Sequence, residues 1–408
     1  MKRIVVNGGK PLSGRVSISG SKNAALPIIF ACILINGVSE IENLPDIGDV
    51  STALNLLRGF GASVSKTENI TTIDTRSLSY SEPNPRLVES IRASTYLIGS
   101  CLARFGRCPI MSFGGCNFSL RPIDMHIDAC TLLGAGLDDD MLRCNKLRGG
   151  LIEFKKASVG ATVNAILLAA TAEGNTIIRG CAVEPHIDSL IEFLNCAGGS
   201  IIRAGRDIYV GGRELHGGKI SVIGDMIEAG SYLALGVMSG GVVDILNSPV
   251  DNMDEIVNAL KNLGADIHLE NNLIGVKACE SRYHSVIASP YPGFPTDLQP
   301  IIAPLMANGA GGKITDTVWS TRFGYLSSLA EFGIKYRLKG NSAEIYKSAI
   351  HSGIAVAPDL RGGMACLMTA LAAEGQSIIY SAETILRGYE NLVEKLSVLG
   401  AEINIEDI

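Results

Sequence analysis

The chain has 408 residues, 47% of them hydrophobic and 19% charged, with a net charge of −6. That apolar content excludes disorder, because it offsets the entropy of ordering the chain. The acidic balance argues against a nucleic-acid groove, which needs a basic face to displace counterions, and the longest apolar run, the twelve residues 24–35 that include Pro27, is too short to span a bilayer.

Taken in chain order, the N-terminal MKRIVVNGGKPLSG carries no apolar core of a secretory leader, and a strand, VSISG, ends at Gly20. One pattern then recurs: an apolar helical run, a glycine turn and a β-branched segment. It reads IIFACILINGVSEI, LIGSCLARFGRCPI, ILLAATAEGNTII, YLALGVMSGGVVDI, IIAPLMANGAGGKI and CLMTALAAEGQSII. The turn glycines, Gly37, Gly106, Gly174, Gly240, Gly309 and Gly375, are spaced by 69, 68, 66, 69 and 66 residues. A second series interleaves with it: NLLRGFGASVS, TLLGAGLDDD, FLNCAGGSIIR, ALKNLGADIHL, LAEFGIKYRL and KLSVLGAEINI. Here a Leu-rich helix stops at a glycine expected to form a left-handed C-cap before a strand.

Two series in one phase predict six α/β repeats of the βαβαββ type. Three repeats make a domain of ordinary size. We therefore expect one domain over residues 22–223 and a second over residues 1–21 plus 224–408. The N-terminal segment should complete the last repeat, and the chain should cross between domains near residues 20–22 and 222–226.

The helix starts carry the chemistry. They read GSKN at 20–23, IRAS at 91–94, KASVG at 156–160, DMIE at 225–228, FPTD at 294–297 and DLRG at 359–362. Helix N-termini attract anions through unpaired amides and a partial positive charge. Lys22, Arg92, Lys156 and Arg361 add cations there, which are unfavourable for a helix unless they face an anion; taken singly, each is better explained as a solvated helix end. Helix starts converging from both domains would form a cleft suited to a phosphorylated or carboxylated substrate.

Ten cysteines are scattered without a CxxC pair, which reads as reduced thiols in a cytoplasm, mostly small core residues. Cys116 differs, following Gly114-Gly115 and preceding Arg121-Pro122-Ile123-Asp124. It is either one more buried thiol or a loop acid or nucleophile activated by Arg121. His126 lacks a visible partner and reads as structural. No Walker loop, HExxH or GxSxG motif occurs, and the histidines show no ligand spacing, so no metal and no cofactor are expected.

Six segments in order, GSKNAALP, SIRAS, GGC with RPID, SVGATVN, PGFPTDLQ and LRGYENL, resemble the UDP-N-acetylglucosamine enolpyruvyl transferases, cytoplasmic enzymes that open peptidoglycan synthesis and so serve cell-wall growth and division. The resemblance implies a two-domain inside-out α/β barrel of six repeats with its active site in the interdomain cleft. It implies transfer of the enolpyruvyl group of phosphoenolpyruvate to the 3-hydroxyl of UDP-N-acetylglucosamine. By position, Lys22, Arg121 and Arg387 would hold the phosphate and carboxylate of phosphoenolpyruvate. Cys116 would protonate its methylene carbon, and Asp297 would take the proton of the sugar hydroxyl. Asn23, Arg92, Arg121, Pro122, Ile123, Asp124, Ser158, Val159, Gly160 and Val318 would line the UDP-sugar site, and Asp49 and Arg361 are matching cleft residues. Lys156 and Thr296, beside two of these motifs, complete the candidate set.

The chain departs from the family pattern at residues 117–120, His186, Met226, Ser320-Thr321 and Leu386. Those departures leave open the rate and a different nucleotide acceptor; a second alternative, a non-catalytic paralogue that binds a UDP-sugar and regulates a partner, is opposed by the intact Lys22, Cys116, Asp297 and Arg387. The GGC loop and the SKNAALP form disfavour the related shikimate 3-phosphate branch. A monomer with small-molecule substrates, and no nucleic-acid or membrane partner, is expected.

Overall fold

The computed structural model describes residues 2–115, 122–270 and 273–408, so Cys116, Arg121 and the run between them lie outside the described residues. Contacts divide the chain into two compact units, one of residues 20–115 and 122–223, the other of residues 2–19 and 224–408. Each has its own apolar core.

In the unit of residues 20–223 the leading helices of the repeats are Lys22–Ala31, Leu97–Phe105 and Val159–Ala169. In the other unit they are Met226–Ser239, Gln299–Asn308 and Leu360–Ala372. Several are apolar on every side. All residues from Ala161 to Ala169 and from Leu360 to Leu371 are buried, as expected for helices with no face left for water. The second helices are amphipathic instead: Asp254–Leu263 buries Ile256, Val257, Ala259, Leu260 and Leu263 and leaves Asp254, Glu255 and Lys261 in solvent. Small residues let the central helices approach closely. At Gly99 a Cβ would fall 2.9 Å from the Asn164 carbonyl oxygen, and the Gly99 amide donates to Asn164 Oδ1 at 2.7 Å.

Among the described residues five four-stranded sheets share one topology: a parallel pair, bridged by a leading helix in three of them, extended by two antiparallel strands that form a hairpin in four. In the second unit His284–Ala288 runs parallel to Gly312–Asp316, which pairs antiparallel with Ser342–Tyr346 and then Lys335–Lys339. The second repeat is reduced, among the described residues, to the three strands Arg107–Pro109, Met141–Arg143 and Gly136–Asp138.

The N-terminus serves two repeats. Strand Lys2–Gly8 lies between Gly375–Tyr380 and Glu402–Asp407 and completes the last repeat, with Ile4 opposite Ile379 and both fully buried. Strand Gly14–Ser17 pairs parallel with Val242–Leu246 and so opens the fourth. Its counterpart in the first repeat comes from far along the chain: Lys219–Ser221 runs parallel to Val38–Glu42.

The second glycine series adopts the expected left-handed backbone at all six stops, Gly61, Gly134, Gly198, Gly264, Gly333 and Gly400. The first series is mixed. Gly106, Gly174, Gly240 and Gly375 have positive φ, whereas Gly309 does not and the role passes to Gly311. Gly37 is required for a different reason, because a Cβ there would sit 2.7 Å from the Gly217 nitrogen.

Candidate active site

All six sequence-derived helix starts open a helix or a short 3-10 turn leading into one. In the unit of residues 20–223, Lys22 is the first residue of its helix, where its charge opposes the helix dipole. The compensating anion is Asp49, in the first turn of helix Gly48–Gly59: Lys22 Nζ lies 2.6 Å from Asp49 Oδ2, with both side chains largely buried. The structure thus pairs two residues that the sequence could only name separately. Asn23 beside them is half-buried.

Arg92 opens the 3-10 turn Arg92–Tyr96. A Cβ on Gly115, whose φ is +129°, would lie 3.0 Å from Arg92 Cβ, so the backbone leading to Cys116 rests on Arg92. Asp124 begins the helix Asp124–Leu132 and is exposed, as is Pro122, while Ile123 is half-buried. His126, one turn in, is buried, and its ring abuts the third candidate helix start: a Cβ on Gly160 would meet His126 Nε2 at 2.8 Å. Burial, with Arg92 nearby, pushes the His126 imidazole down to about 4, so it is neutral at physiological pH. Ser158 caps the helix Val159–Ala169 through Oγ to the Ala161 amide at 3.4 Å, leaving the first amides, Val159 and Gly160 among them, at an anion-favouring end. Lys156 is exposed ahead of that cap.

In the unit of residues 2–19 and 224–408, Asp297 sits in the 3-10 turn Thr296–Leu298. Its carboxylate is gripped by two buried guanidiniums: Arg322 Nη1 at 2.7 Å from Oδ1 and Arg361 Nε at 3.3 Å from Oδ2. Asp297 itself keeps 31% of its side chain exposed, the access a base needs. Arg361 follows the N-cap Asp359, which accepts the Arg361 and Gly362 amides at 2.9 and 3.0 Å. Burial works against the Arg361 charge, but Tyr389, Asp297 and Asp225 more than offset it and hold its pKa above the ordinary value. Its guanidinium lies 5.3 Å from the Tyr389 ring centroid, and Nη1 is buried with no hydrogen-bond partner among the described residues. Tyr389 in turn shares a 2.9 Å hydrogen bond with Ser231. Arg387, two residues before it, is half-buried, and the turn packs on the same helix start because a Cβ on Gly388 would fall 2.5 Å from Leu360 Cδ2.

Thr296 donates to Asp316 Oδ2 at 2.6 Å, and Asp316 Oδ1 accepts the Val318 amide at 2.9 Å. Val318 is half-buried at that turn. Met226 lines a pocket with Tyr291 and Pro295. Arg322, Asp316 and Tyr389 were missed as site residues in the sequence. The signal for Arg322 was slight: a cation a few residues beyond Val318. Among the described residues no group of three or more His, Cys, Asp or Glu is arranged to hold a metal ion, and no helix is long and apolar enough to cross a membrane.

The fold and this set of helix-start residues define a class. A family model described as EPSP synthase (3-phosphoshikimate 1-carboxyvinyltransferase) matches residues 6–396. The enolpyruvyl transferase NikO from Streptomyces tendae superposes with a TM-score of 0.89 at 23% identity, covering 99% of this chain and 98% of that one. EPSP synthase from Acinetobacter baumannii gives 0.77 at 19% identity with both chains fully covered, and these two likenesses concern the fold. Sequence relatives are narrower. UDP-N-acetylglucosamine 1-carboxyvinyltransferase 3 of Caldanaerobacter subterraneus subsp. tengcongensis is 39% identical over 412 aligned positions, 99% of each chain. The UDP-N-acetylglucosamine 1-carboxyvinyltransferase of Halothermothrix orenii is 37% identical, again over 99% of each. The chain belongs to the enolpyruvyl transferase family and, within it, to the UDP-N-acetylglucosamine 1-carboxyvinyltransferases.

Proposed function

We propose that the chain transfers the enolpyruvyl group of phosphoenolpyruvate to the 3-hydroxyl of UDP-N-acetylglucosamine, releasing phosphate, as the cytoplasmic opening step of peptidoglycan synthesis. The observation that carries this reading is the full-length likeness to enzymes of that name. The setting of Asp297, an accessible carboxylate fixed by two buried cations, supports it.

Lys22, Arg121 and Arg387 hold the phosphate and carboxylate of phosphoenolpyruvate. Asn23, Arg92, Pro122 to Asp124, Lys156, the amides at Ser158 to Gly160, and Val318 hold the UDP-sugar. Cys116 gives its proton to the methylene carbon, so the adjacent carbon becomes oxocarbenium-like beside its carboxylate. Asp297 removes the proton of the sugar hydroxyl, whose oxygen adds to that carbon and forms a tetrahedral ketal. Loss of phosphate from the ketal and of a proton from its methyl group restores the double bond. Each positioned proton-transfer group typically contributes 10²–10⁴-fold, and the fixed cations stabilise charge without reorganising.

The test is phosphate release from phosphoenolpyruvate with UDP-N-acetylglucosamine and, in parallel, with other uridine nucleotides. Turnover with UDP-N-acetylglucosamine at the highest kcat/KM is the expected result. Turnover only with another acceptor would overturn the substrate, and none with any acceptor would overturn catalysis.

A further inference from the structure

The side chain that ties together the loops around Asp297 is one that the reaction itself does not use. Asp316 ends the strand Gly312–Asp316 and its side chain is fully buried. One carboxylate oxygen accepts the Val318 and Trp319 amides, at 2.9 and 2.8 Å. The other accepts the Thr296 hydroxyl at 2.6 Å. Arg322 then bridges the two residues of that second arm, with Nη1 3.3 Å from Thr296 Oγ1 and 2.7 Å from Asp297 Oδ1. Its own strand is anchored independently of the carboxylate, since the Asp316 amide donates to Asn341 O and Thr317 donates twice to Ala288 O. The carboxylate is therefore free to serve as a clasp between two loops distant in sequence.

We propose that Asp316 is a positioning residue that locks the loop carrying the base Asp297 to the Val318-Trp319 turn against which the nucleotide sugar lies. This rests on the function proposed above for Asp297 and Val318. A carboxylate suits the task because it can accept all three donors at once, whereas an amide in its place would present an NH₂ to at least one of them. Reacting atoms misplaced by about 1 Å cost on the order of 10²-fold in rate. Loosening the clasp should therefore slow chemistry through Asp297 and weaken the nucleotide sugar through Val318, while leaving phosphoenolpyruvate binding alone.

The chain supplies its own probe. Trp319 is the single tryptophan, it is half-buried, and its amide is one of the clasp's donors. Titrating UDP-N-acetylglucosamine alone into the full-length protein and following Trp319 emission measures binding without turnover. Phosphate release then gives kcat and both KM values. For Asp316→Asn the expected result is a fall in kcat of roughly 10–100-fold. The Kd and KM for UDP-N-acetylglucosamine should rise, with the KM for phosphoenolpyruvate within about twofold of the wild type. Thr296→Val cuts only one arm, so combining it with Asp316→Asn should lower kcat by less than the product of the single effects.

A merely structural role would reduce the active fraction and leave both KM values unmoved; that outcome overturns the proposal, as would fully multiplicative single effects. A wild-type protein that binds the nucleotide sugar but does not turn over would overturn the proposed function while the Trp319 titration still judged the clasp. Failure of the wild type to bind it would overturn both.

Discussion

Glu228 offers a prediction in which two opposing effects can be weighed. Its carboxylate is 3% exposed in the first turn of helix Met226–Ser239. It accepts Lys395 Nζ at 2.6 Å and the Ser19 amide at 2.9 Å, while Lys395 also reaches Ser19 Oγ at 2.6 Å. Burial raises the acid's pKa, Lys395 and the Ser19 amide lower it, and Asp225 raises it again; burial prevails and the carboxyl is pushed up to about 7. From an ordinary 4.5 that is roughly 3 kcal/mol of linkage at about 1.4 kcal/mol per pH unit. The sign is that of an acid raised on folding. The folded protein holds the proton more tightly than the unfolded chain between 4.5 and about 7. Stability from this group is thus complete below the unfolded value and is lost as pH rises through the folded one. Urea unfolding of the wild type and Glu228→Gln, from about pH 4 to pH 8, reads the effect, because the glutamine does not titrate. The wild-type advantage should shrink by about 3 kcal/mol across that range. A constant difference would mean that the ion pair balances burial, and an advantage growing with pH that it outweighs burial.

Three further outcomes follow from the geometry. Gly160→Ala would drive a Cβ to within 2.8 Å of the buried His126 ring, so thermal unfolding should show a loss of about 1–3 kcal/mol, and an unchanged melting temperature would contradict the packing. The His126 ring resonances should not titrate between about pH 5 and pH 8, because burial and Arg92 hold the imidazole neutral; as a base depressed on folding, it should cost stability only as pH falls through 6.5 towards about 4. Fosfomycin should modify Cys116 alone among the ten thiols. Burial pushes Cys32, Cys181 and Cys366 up to about 12, and mass mapping of a second labelled thiol would refute the selectivity.

What could be read from the sequence was whatever the backbone demands locally. The second-helix glycines stood out because a left-handed stop tolerates little else, and all six adopt that conformation. The leading helices were visible because a segment buried on every side must be apolar throughout. Helix starts follow from the same phase, which is why Lys22, Asp297 and Arg361 could be placed at the start of a helix or 3-10 turn without coordinates. Of the long-range pairings, only the return of the N-terminus to the last repeat was legible. Nothing in GRVS shows that residues 14–17 join Val242–Leu246 rather than the repeat that follows them in sequence. Nor did the chain reveal that the anion opposing Lys22 is Asp49, or that Arg322 and Arg361 converge on one carboxylate from 25 and 64 residues away. Side chains meeting at a point leave no period in a sequence. The departures at Ser320-Thr321 and Leu386 have no structural explanation.

The most direct measurement is the structure of the product made from phosphoenolpyruvate and UDP-N-acetylglucosamine by the wild type and by Asp297→Asn, read by NMR and mass spectrometry. The wild type should give a single enolpyruvyl ether at the sugar 3-hydroxyl, and the variant should form it at least about 10²-fold more slowly while remaining folded. An unmodified nucleotide sugar, an ether at another hydroxyl, or an undiminished rate in Asp297→Asn would contradict enolpyruvyl transfer with Asp297 as its base.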